Sequence, residues 1–111
     1  MDDKSKKYLS DILESINSIN SYLQGKRDFN LYLQNKMIRR SVEREVEIIG
    51  EAVNRLLKIN PQIEISAASK IVDQRNLVIH AYDSVNNEMI WSVVVKHLPL
   101  LKNEVEHILS E

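Results

Sequence analysis

Four polar side chains within positions 75–82 are of types that could act together on a phosphodiester. They are Arg75, Asn76, His80 and Tyr82. A histidine with a pKa near 6.5 can move a proton at neutral pH. A guanidinium can hold a phosphate through two hydrogen bonds and stabilise the charge that develops on it. His80 and Arg75 would in principle suffice for metal-free cleavage of RNA, in which the 2′-hydroxyl attacks its own phosphate.

The pattern around these residues predicts a helix over roughly 67–82, with Ser66 as its N-cap. Successive residues of a helix are about 100° apart, so one stripe carries Ser69, Asp73, Asn76, His80 and Asp83, and the adjacent stripe carries Arg75, Ile79 and Tyr82. Arg75 and His80 are then about 140° apart on a regular helix. They would converge only if the helix end is distorted or if a symmetry-related copy completes the site. The alternative is that this pair arises by chance, as it does in many helices.

A second candidate surface is basic. Lys36, Arg39, Arg40 and Arg44 could line a groove for RNA. Three carboxylates interleave with them, namely Glu43, Glu45 and Glu47, and these weaken that hypothesis. The alternative is an ordinary solvated helix face with charges of both signs.

The other histidines and the tryptophan fit structural roles. We interpret His97 and His107 as surface residues and predict no metal site and no cofactor. Trp91 is interpreted as an anchor in the core or in an interface rather than as a platform on which a base stacks.

Five helical segments would position these residues. The first contains apolar residues at helical spacing (Leu9, Ile12, Leu13, Ile16, Ile19 and Leu23), with Asp2 or Asp3 as N-cap and Gly25 as C′ residue. A short second helix begins at Asp28, and a third runs from Ile38 through Lys58 and ends at Asn60-Pro61. The fourth is the segment 67–82. The fifth begins at Asn86 or Asn87 and runs towards Leu109, with a kink at Pro99.

The apolar run 90–95 would also suit a buried strand. Helical spacing continues beyond it, so we interpret it as part of the fifth helix. The predicted fold is therefore all-α, an up-and-down bundle of four main helices plus one short helix.

Composition supports this fold and excludes several function classes. The 111 residues include only two glycines and two prolines, against about 13 expected from average usage, which argues against a β-sandwich and against a Gly-rich phosphate loop. There is no cysteine, so disulfides and thiol nucleophiles are excluded. The net charge is −1, so a contact with nucleic acid must use a local basic patch. We predict a single cytoplasmic domain over 1–111, without a membrane span.

The motif Arg75-x4-His80-x-Tyr82 resembles the Arg-x4-His-x-Tyr motif of the HepT-like proteins, a branch of the HEPN superfamily of small helical domains. Other stretches resemble the family in the expected order: Tyr8-Leu9-Ser10-Asp11-Ile12-Leu13, Glu47-Ile48-Ile49-Gly50-Glu51-Ala52, Ile90-Trp91 and Leu98-Pro99-x-Leu101. Together they span nearly the whole chain. One departure is the run His80-Ala81-Tyr82-Asp83, where family members often have an acidic residue between the histidine and the tyrosine.

This resemblance implies a homodimer with a cleft in which Arg75 and His80 of both copies meet, which would resolve the 140° separation. It implies the toxin of a type VII toxin–antitoxin system, a metal-independent endoribonuclease with RNA as substrate. His80 would be the acid/base, Arg75 the phosphate ligand and Asn76 a supporting polar residue. The cognate antitoxin would be a minimal nucleotidyltransferase, which neutralises the toxin by transferring AMP to Tyr82.

Two other functions stay open at this point. One is a non-catalytic binding or substrate-presenting subunit of a nucleotidyltransferase complex, in which Arg75 and His80 would grip a phosphate without cleaving a bond. The other is a plain helical dimer in which Tyr82 is buried.

Overall fold

The computed structural model describes residues 1–66 and 87–111, and every described element is helical. In chain order these are α1 (Asp3–Tyr22), α2 (Phe29–Gln34), α3 (Lys36–Ile59), α4 (Asn87–Ser92), a π-helical turn (Val93–His97) and α5 (Leu98–Leu109). The all-α bundle is confirmed. The predicted helix over 67–82 lies outside the described residues.

Polar side chains cap the first three helices, and α3 begins at Lys36, two residues before its predicted start at Ile38. Asp2 begins α1 by accepting a hydrogen bond from the Ser5 amide at 2.9 Å. Asp28 begins α2 by accepting from the amides of Asn30 and Leu31 at 3.0 and 3.2 Å. Asn35 begins α3 by accepting from the Ile38 amide at 3.1 Å. Each cap satisfies an amide that has no partner within its own helix.

The end of α1 differs by one residue from the prediction. Gln24 occupies the C′ position with φ 57°, and Gly25 follows with φ 72°. Their amides donate to the carbonyls of Ser21 and Asn20, at 3.0 and 2.9 Å. This is the Schellman arrangement, in which the amides of the C″ and C′ residues donate to the carbonyls of C3 and C2. Gly25 therefore contributes to the stop, but it is Gln24 that takes the C′ position.

The irregularity near Pro99 is a π-helical turn. Pro99 has no amide hydrogen, and in a regular α-helix its ring would clash with the carbonyl of Val95, four residues earlier. Over Val93–His97 the helix widens, and the Leu98 amide donates to the Val93 carbonyl, five residues back. The predicted end at Leu109 is confirmed, and the run 90–95 is helical rather than a strand.

The core lies mainly between α1 and α3, with α4, the π turn and α5 packed against them. Its fully buried large side chains come mostly from α1 and α3, with others from α2, α4 and α5; they are Tyr32, Leu9, Ile12, Ile19, Leu23, Ile49, Leu56, Ile90, Leu101, Val42 and Val46. Most of the apolar residues used to predict the first helix thus form the core, and Leu13 is partly buried against it. Among the described residues, no helix has both the length and the apolar character needed to cross a bilayer.

Candidate functional site

The four residues of the predicted site lie outside the described residues. Arg75, Asn76, His80 and Tyr82 all fall within 67–86, so their predicted roles stay predictions. What the structure describes is the two chain positions that bracket this segment, Ser66 and Asn87, and the side chains that hold them.

Ser66 is bound to α5 by two groups at once. Its amide donates to Oε2 of Glu104 at 3.1 Å, and its hydroxyl donates to Oε1 of the same carboxylate at 3.2 Å. A carboxylate that accepts two hydrogen bonds forms a stronger contact than a neutral pair does. The first bracketing position is therefore fixed to α5.

Asn87 is bound to an aromatic cluster, which consists of Phe29, Tyr32 and Trp91. The Tyr32 hydroxyl lies 3.3 Å from Oδ1 of Asn87 and donates to it. The Tyr32 ring stacks on Trp91 with centroids 5.4 Å apart, and Phe29 lies 6.1 Å from Tyr32 and 5.8 Å from Trp91. Trp91 is partly buried and packs against the core. Its interpretation as an anchor is confirmed, and the second bracketing position is fixed to α2.

Glu43 of α3 and Tyr32 of the cluster are both ionisable groups affected by burial. Burial raises the pKa of the Glu43 carboxyl, and the charges of Arg40 and Arg39 counteract part of the shift. Burial likewise raises the pKa of the Tyr32 phenol, and the negative charge of Glu43 raises it further. Both effects follow from the low polarity around the groups, which disfavours their charged forms.

The predicted basic surface on α3 is only partly free to bind RNA. Lys36 and Arg40 are exposed. Arg39 is half-buried and donates to the carbonyl of Leu33 at 2.7 Å, which ties the end of α2 to α3. Arg44 is exposed but forms an ion pair with Glu47 at 3.2 Å. Two of the four cations thus have intramolecular partners.

Two cavities of similar volume lie on opposite sides of α1. The α1/α3 cavity has a volume of about 340 Å³ and is lined by Lys7, Tyr8, Asp11, Arg44, Glu47, Ile48, Glu51, Ala52 and Arg55. The α1/α5 cavity has a volume of about 320 Å³ and is lined by Ile16, Asn20, Arg27, Val94, Leu98, Pro99, Lys102, Asn103 and Glu106.

The sequence interpretation missed the α1/α5 cavity. Its residues come from three stretches of chain that no motif connects. The one signal that was present is Arg27, a cation two residues after Gly25 at the helix stop, with no acidic residue three or four positions later in the sequence.

His107 has an acidic partner that the sequence interpretation overlooked. Its Nε2 lies 3.3 Å from Glu111, four residues later, and both side chains are mostly exposed. His107 is therefore a surface residue, as predicted. Within 1–66 and 87–111, no group of three or more histidine or acidic side chains could hold a metal ion.

The chain matches a family profile described as "Ribonuclease HepT-like" over residues 12–108. A protein of Methanocaldococcus jannaschii that carries the name "Putative RNase" is 35% identical over 102 residues, which cover 91% of this chain and 93% of that protein. A protein of Thermococcus cleftensis named "Probable ribonuclease HepT" is 32% identical over 107 residues, 93% of this chain and 94% of that protein.

A longer relative contains the same region beside a second activity. The M. jannaschii protein named "Gamma-glutamylcyclotransferase and putative RNase" is 33% identical over 107 residues, 96% of this chain but 48% of that protein. No solved structure is a significant match.

Proposed function

This chain belongs to the HepT-like family of the HEPN superfamily, and from that premise we propose that it is a metal-independent endoribonuclease. The observation that carries the proposal is the family match across 12–108, which contains the motif Arg75-x4-His80-x-Tyr82 in full. The RNase names of full-length relatives support the same activity.

In the proposed reaction the 2′-hydroxyl of one nucleotide attacks the phosphorus that follows it. The bond from phosphorus to the 5′-oxygen of the next nucleotide breaks, which leaves a 2′,3′-cyclic phosphate and a 5′-hydroxyl. His80 moves the proton between these two oxygens, and Arg75 stabilises the negative charge that builds up on the phosphate. Asn76 supports the pair. Arg75 and His80 of two copies meet in a dimer cleft.

The proposal extends to regulation within a cytoplasmic type VII toxin–antitoxin system. A cognate minimal nucleotidyltransferase would transfer AMP from ATP to the hydroxyl of Tyr82, with release of pyrophosphate. Intact-mass spectrometry of the chain co-expressed with the product of its neighbouring gene tests this step. A gain of whole AMP units that Tyr82→Phe abolishes is the expected result, and an unchanged mass of the wild-type chain would contradict it.

Cleavage is tested by incubating purified protein with RNA in EDTA. We expect the wild type to cleave and His80→Ala and Arg75→Ala each to lose activity by at least about a hundredfold, as is typical for an acid/base or a charge-stabilising group. His107→Ala is the matched control, because His107 is an exposed histidine paired only with Glu111. Cleavage that survives in His80→Ala and Arg75→Ala would refute the assigned roles.

A second function has a specific observation in its favour. Arg39 and Arg44, two of the four cations that could line a groove for RNA, already have intramolecular partners. This fits a binding or substrate-presenting subunit of a nucleotidyltransferase complex that does not cleave RNA. Stable association with that enzyme, together with no RNA cleavage by unmodified protein, would favour this function over the first.

A further inference from the structure

The α1/α5 cavity combines an apolar floor with a polar rim. Ile16, Val94 and Leu98 are buried beneath it. The rim is formed by Asn20 of α1, Arg27 of the α1–α2 connection, and Lys102, Asn103 and Glu106 of α5. Pro99, Lys102, Asn103 and Glu106 follow helical spacing, so one face of α5 lines the cavity. Three separate stretches of the chain therefore converge on one concave surface.

The cations of this cavity differ from those of the α1/α3 cavity in being unpaired. In the α1/α3 cavity, Lys7 pairs with Asp11, Arg44 with Glu47 and Arg55 with Glu51, at 3.2, 3.2 and 2.8 Å. Arg27 and Lys102 form no ion pair with any residue in the described part of the chain. Their positive charge is thus available to a ligand.

The Arg27 side chain is also partly oriented. Its Nη1 donates to Oδ1 of Asn20 at 3.4 Å. A guanidinium has five N–H donors in a fixed planar fork, so this long hydrogen bond leaves at least four of them for an anion. Asn20 therefore restricts the guanidinium to the rim while leaving its capacity to bind a phosphate.

We propose that the α1/α5 cavity binds one nucleotide, with its phosphate between Arg27 and Lys102 and its nucleoside over the apolar floor. Bidentate arginine and a lysine are the usual protein ligands of phosphate. The amides of Asn20 and Asn103 can donate and accept, as the edge of a base requires. A volume of about 320 Å³ lies at the lower end of the range for small-ligand sites, which suits one nucleotide.

The nucleotide is either free or one unit of an RNA strand, and both present the same phosphate and nucleoside. The case of a unit of RNA rests on the proposed function. Among the described rim residues, Glu106 is the one with a carboxylate, and its negative charge repels an anion. Its removal should therefore strengthen binding, an effect opposite in sign to that of removing Arg27 or Lys102.

Calorimetric titration of the full chain with uridine 5′-monophosphate tests the proposal, with uridine as the ligand that lacks phosphate. We expect Arg27→Gln and Lys102→Gln each to weaken binding of the monophosphate by about tenfold, and Glu106→Gln to strengthen it by about threefold. Uridine itself should bind far more weakly than the monophosphate. Arg55→Gln is the matched control, since it removes a cation that Glu51 already pairs, and it should leave the affinity unchanged.

Three results would overturn the proposal: no binding of the monophosphate by the wild type, equal binding of uridine, or an equal loss in Arg55→Gln. Circular dichroism of each variant establishes that it is folded. Because the titration contains no RNA, it is independent of cleavage. A chain that binds the monophosphate but cleaves no RNA keeps this site and loses the proposed function, and the reverse result loses only the site.

A second titration distinguishes the two sources of the nucleotide. The probe is a short single-stranded RNA with 2′-O-methyl groups, which lacks the hydroxyl needed for cleavage. If Arg27→Gln weakens binding of this RNA and of uridine 5′-monophosphate by the same factor, the site holds a unit of RNA. If only binding of the monophosphate weakens, the site holds a free nucleotide.

Discussion

Tyr32 interacts with three parts of the structure: the other rings of the aromatic cluster, Asn87 and the charged residues of α3. Its ring is fully buried and stacks on Trp91, while its hydroxyl donates to Asn87. The pKa of the phenol is raised by burial and by the nearby Glu43. The residue therefore stays neutral at any physiological pH and acts as a hydrogen-bond donor at the boundary of the segment 67–86.

Tyr32→Phe should lower the free energy of unfolding by about 1 kcal/mol, the usual net contribution of one hydrogen bond. The ring and its stacking are kept, so only the bond to Asn87 is lost. Trp91 is the chain's single tryptophan, and its fluorescence during urea unfolding reports this cluster directly. Tyr22→Phe is the comparison, because its bond to Glu45 is less buried and water can replace it. An equal or larger loss in Tyr22→Phe would contradict the importance assigned to Tyr32.

Glu43→Gln should stabilise the protein at pH 7. The pKa of Glu43 is raised above its ordinary value of 4.5, chiefly by burial. As the pH rises through this range, the unfolded chain releases the proton first, so the folded state loses stability and remains less stable at neutral pH. The variant avoids this penalty, because a glutamine side chain is neutral in both the folded and the unfolded state.

Thermal unfolding of both proteins at pH 4 and pH 7 checks this prediction. The melting temperatures should differ more at pH 7, where the variant is higher, and should converge at pH 4, where the carboxyl of Glu43 is largely protonated in both states. A variant that melts lower at pH 7 would mean that attraction to Arg39 and Arg40 outweighs the burial of the charge.

At the scale of elements, the ends of the helices are where local residue types decide the structure. Asp2, Asp28 and Asn35 cap α1, α2 and α3, and short polar side chains of this kind are favoured at N-caps because they accept hydrogen bonds from free amides. The end of α1 is less favourable. There a glutamine takes the left-handed C′ position, which side chains other than glycine and asparagine rarely adopt.

Gln24→Gly should therefore stabilise the protein, by about 0.5–1 kcal/mol, since the strain of a left-handed residue with a Cβ exceeds the extra flexibility that glycine gives the unfolded chain. Gly25→Ala should destabilise it by about 1 kcal/mol. An added Cβ at Gly25 would meet nothing within 4 Å, so the cost comes from φ alone. Urea unfolding measures both changes. If Gln24→Gly were destabilising, its side chain would have to contribute a contact that offsets the strain.

Structural features that depend on residues close in sequence could be predicted from the sequence. Features that depend on residues far apart in sequence coming together in space could not. The apolar spacing from Leu9 to Leu23, the cap at Asp2 or Asp3 and the helical onset at Asp28 depend on residues within one or two turns, and these predictions are confirmed. The π turn depends on how the helix relieves the clash at Pro99, which a spacing rule does not specify. The α1/α5 cavity needs Arg27 and Lys102 to meet across 75 positions of sequence.

At the scale of the whole molecule, the described residues hold the predicted catalytic segment by both of its boundaries. Glu104 binds Ser66, and Tyr32 binds Asn87. On one regular helix Arg75 and His80 would be about 140° apart, so they would converge either at a distorted helix end or across two copies of the chain. The proposed dimer is the second of these arrangements and can be tested as such.

Mixing the inactive variants Arg75→Ala and His80→Ala should restore RNA cleavage. In a mixed dimer the first chain supplies His80 and the second supplies Arg75, so one of the two composite sites is complete. Random exchange makes half of the dimers mixed, and the expected activity is about a quarter of the wild-type value. Cleavage is measured before and after exchange of subunits. A mixture as inactive as its components would place both residues in the same chain's site.

The π turn is equivalent to lengthening a regular α-helix by one residue. A π turn has about one residue more than the α turn it replaces, so it accommodates one inserted residue without breaking the helix. In a regular α-helix one inserted residue would rotate everything after it by about 100° relative to everything before it, and the wider π turn takes up most of that rotation. Ile90 still faces the core before the turn and Val105 after it, and Lys102 is brought to the same cavity as Arg27. In this helix, the number of residues between Ile90 and Lys102 therefore determines which way the polar face of α5 points. It matters as much as the identities of those residues.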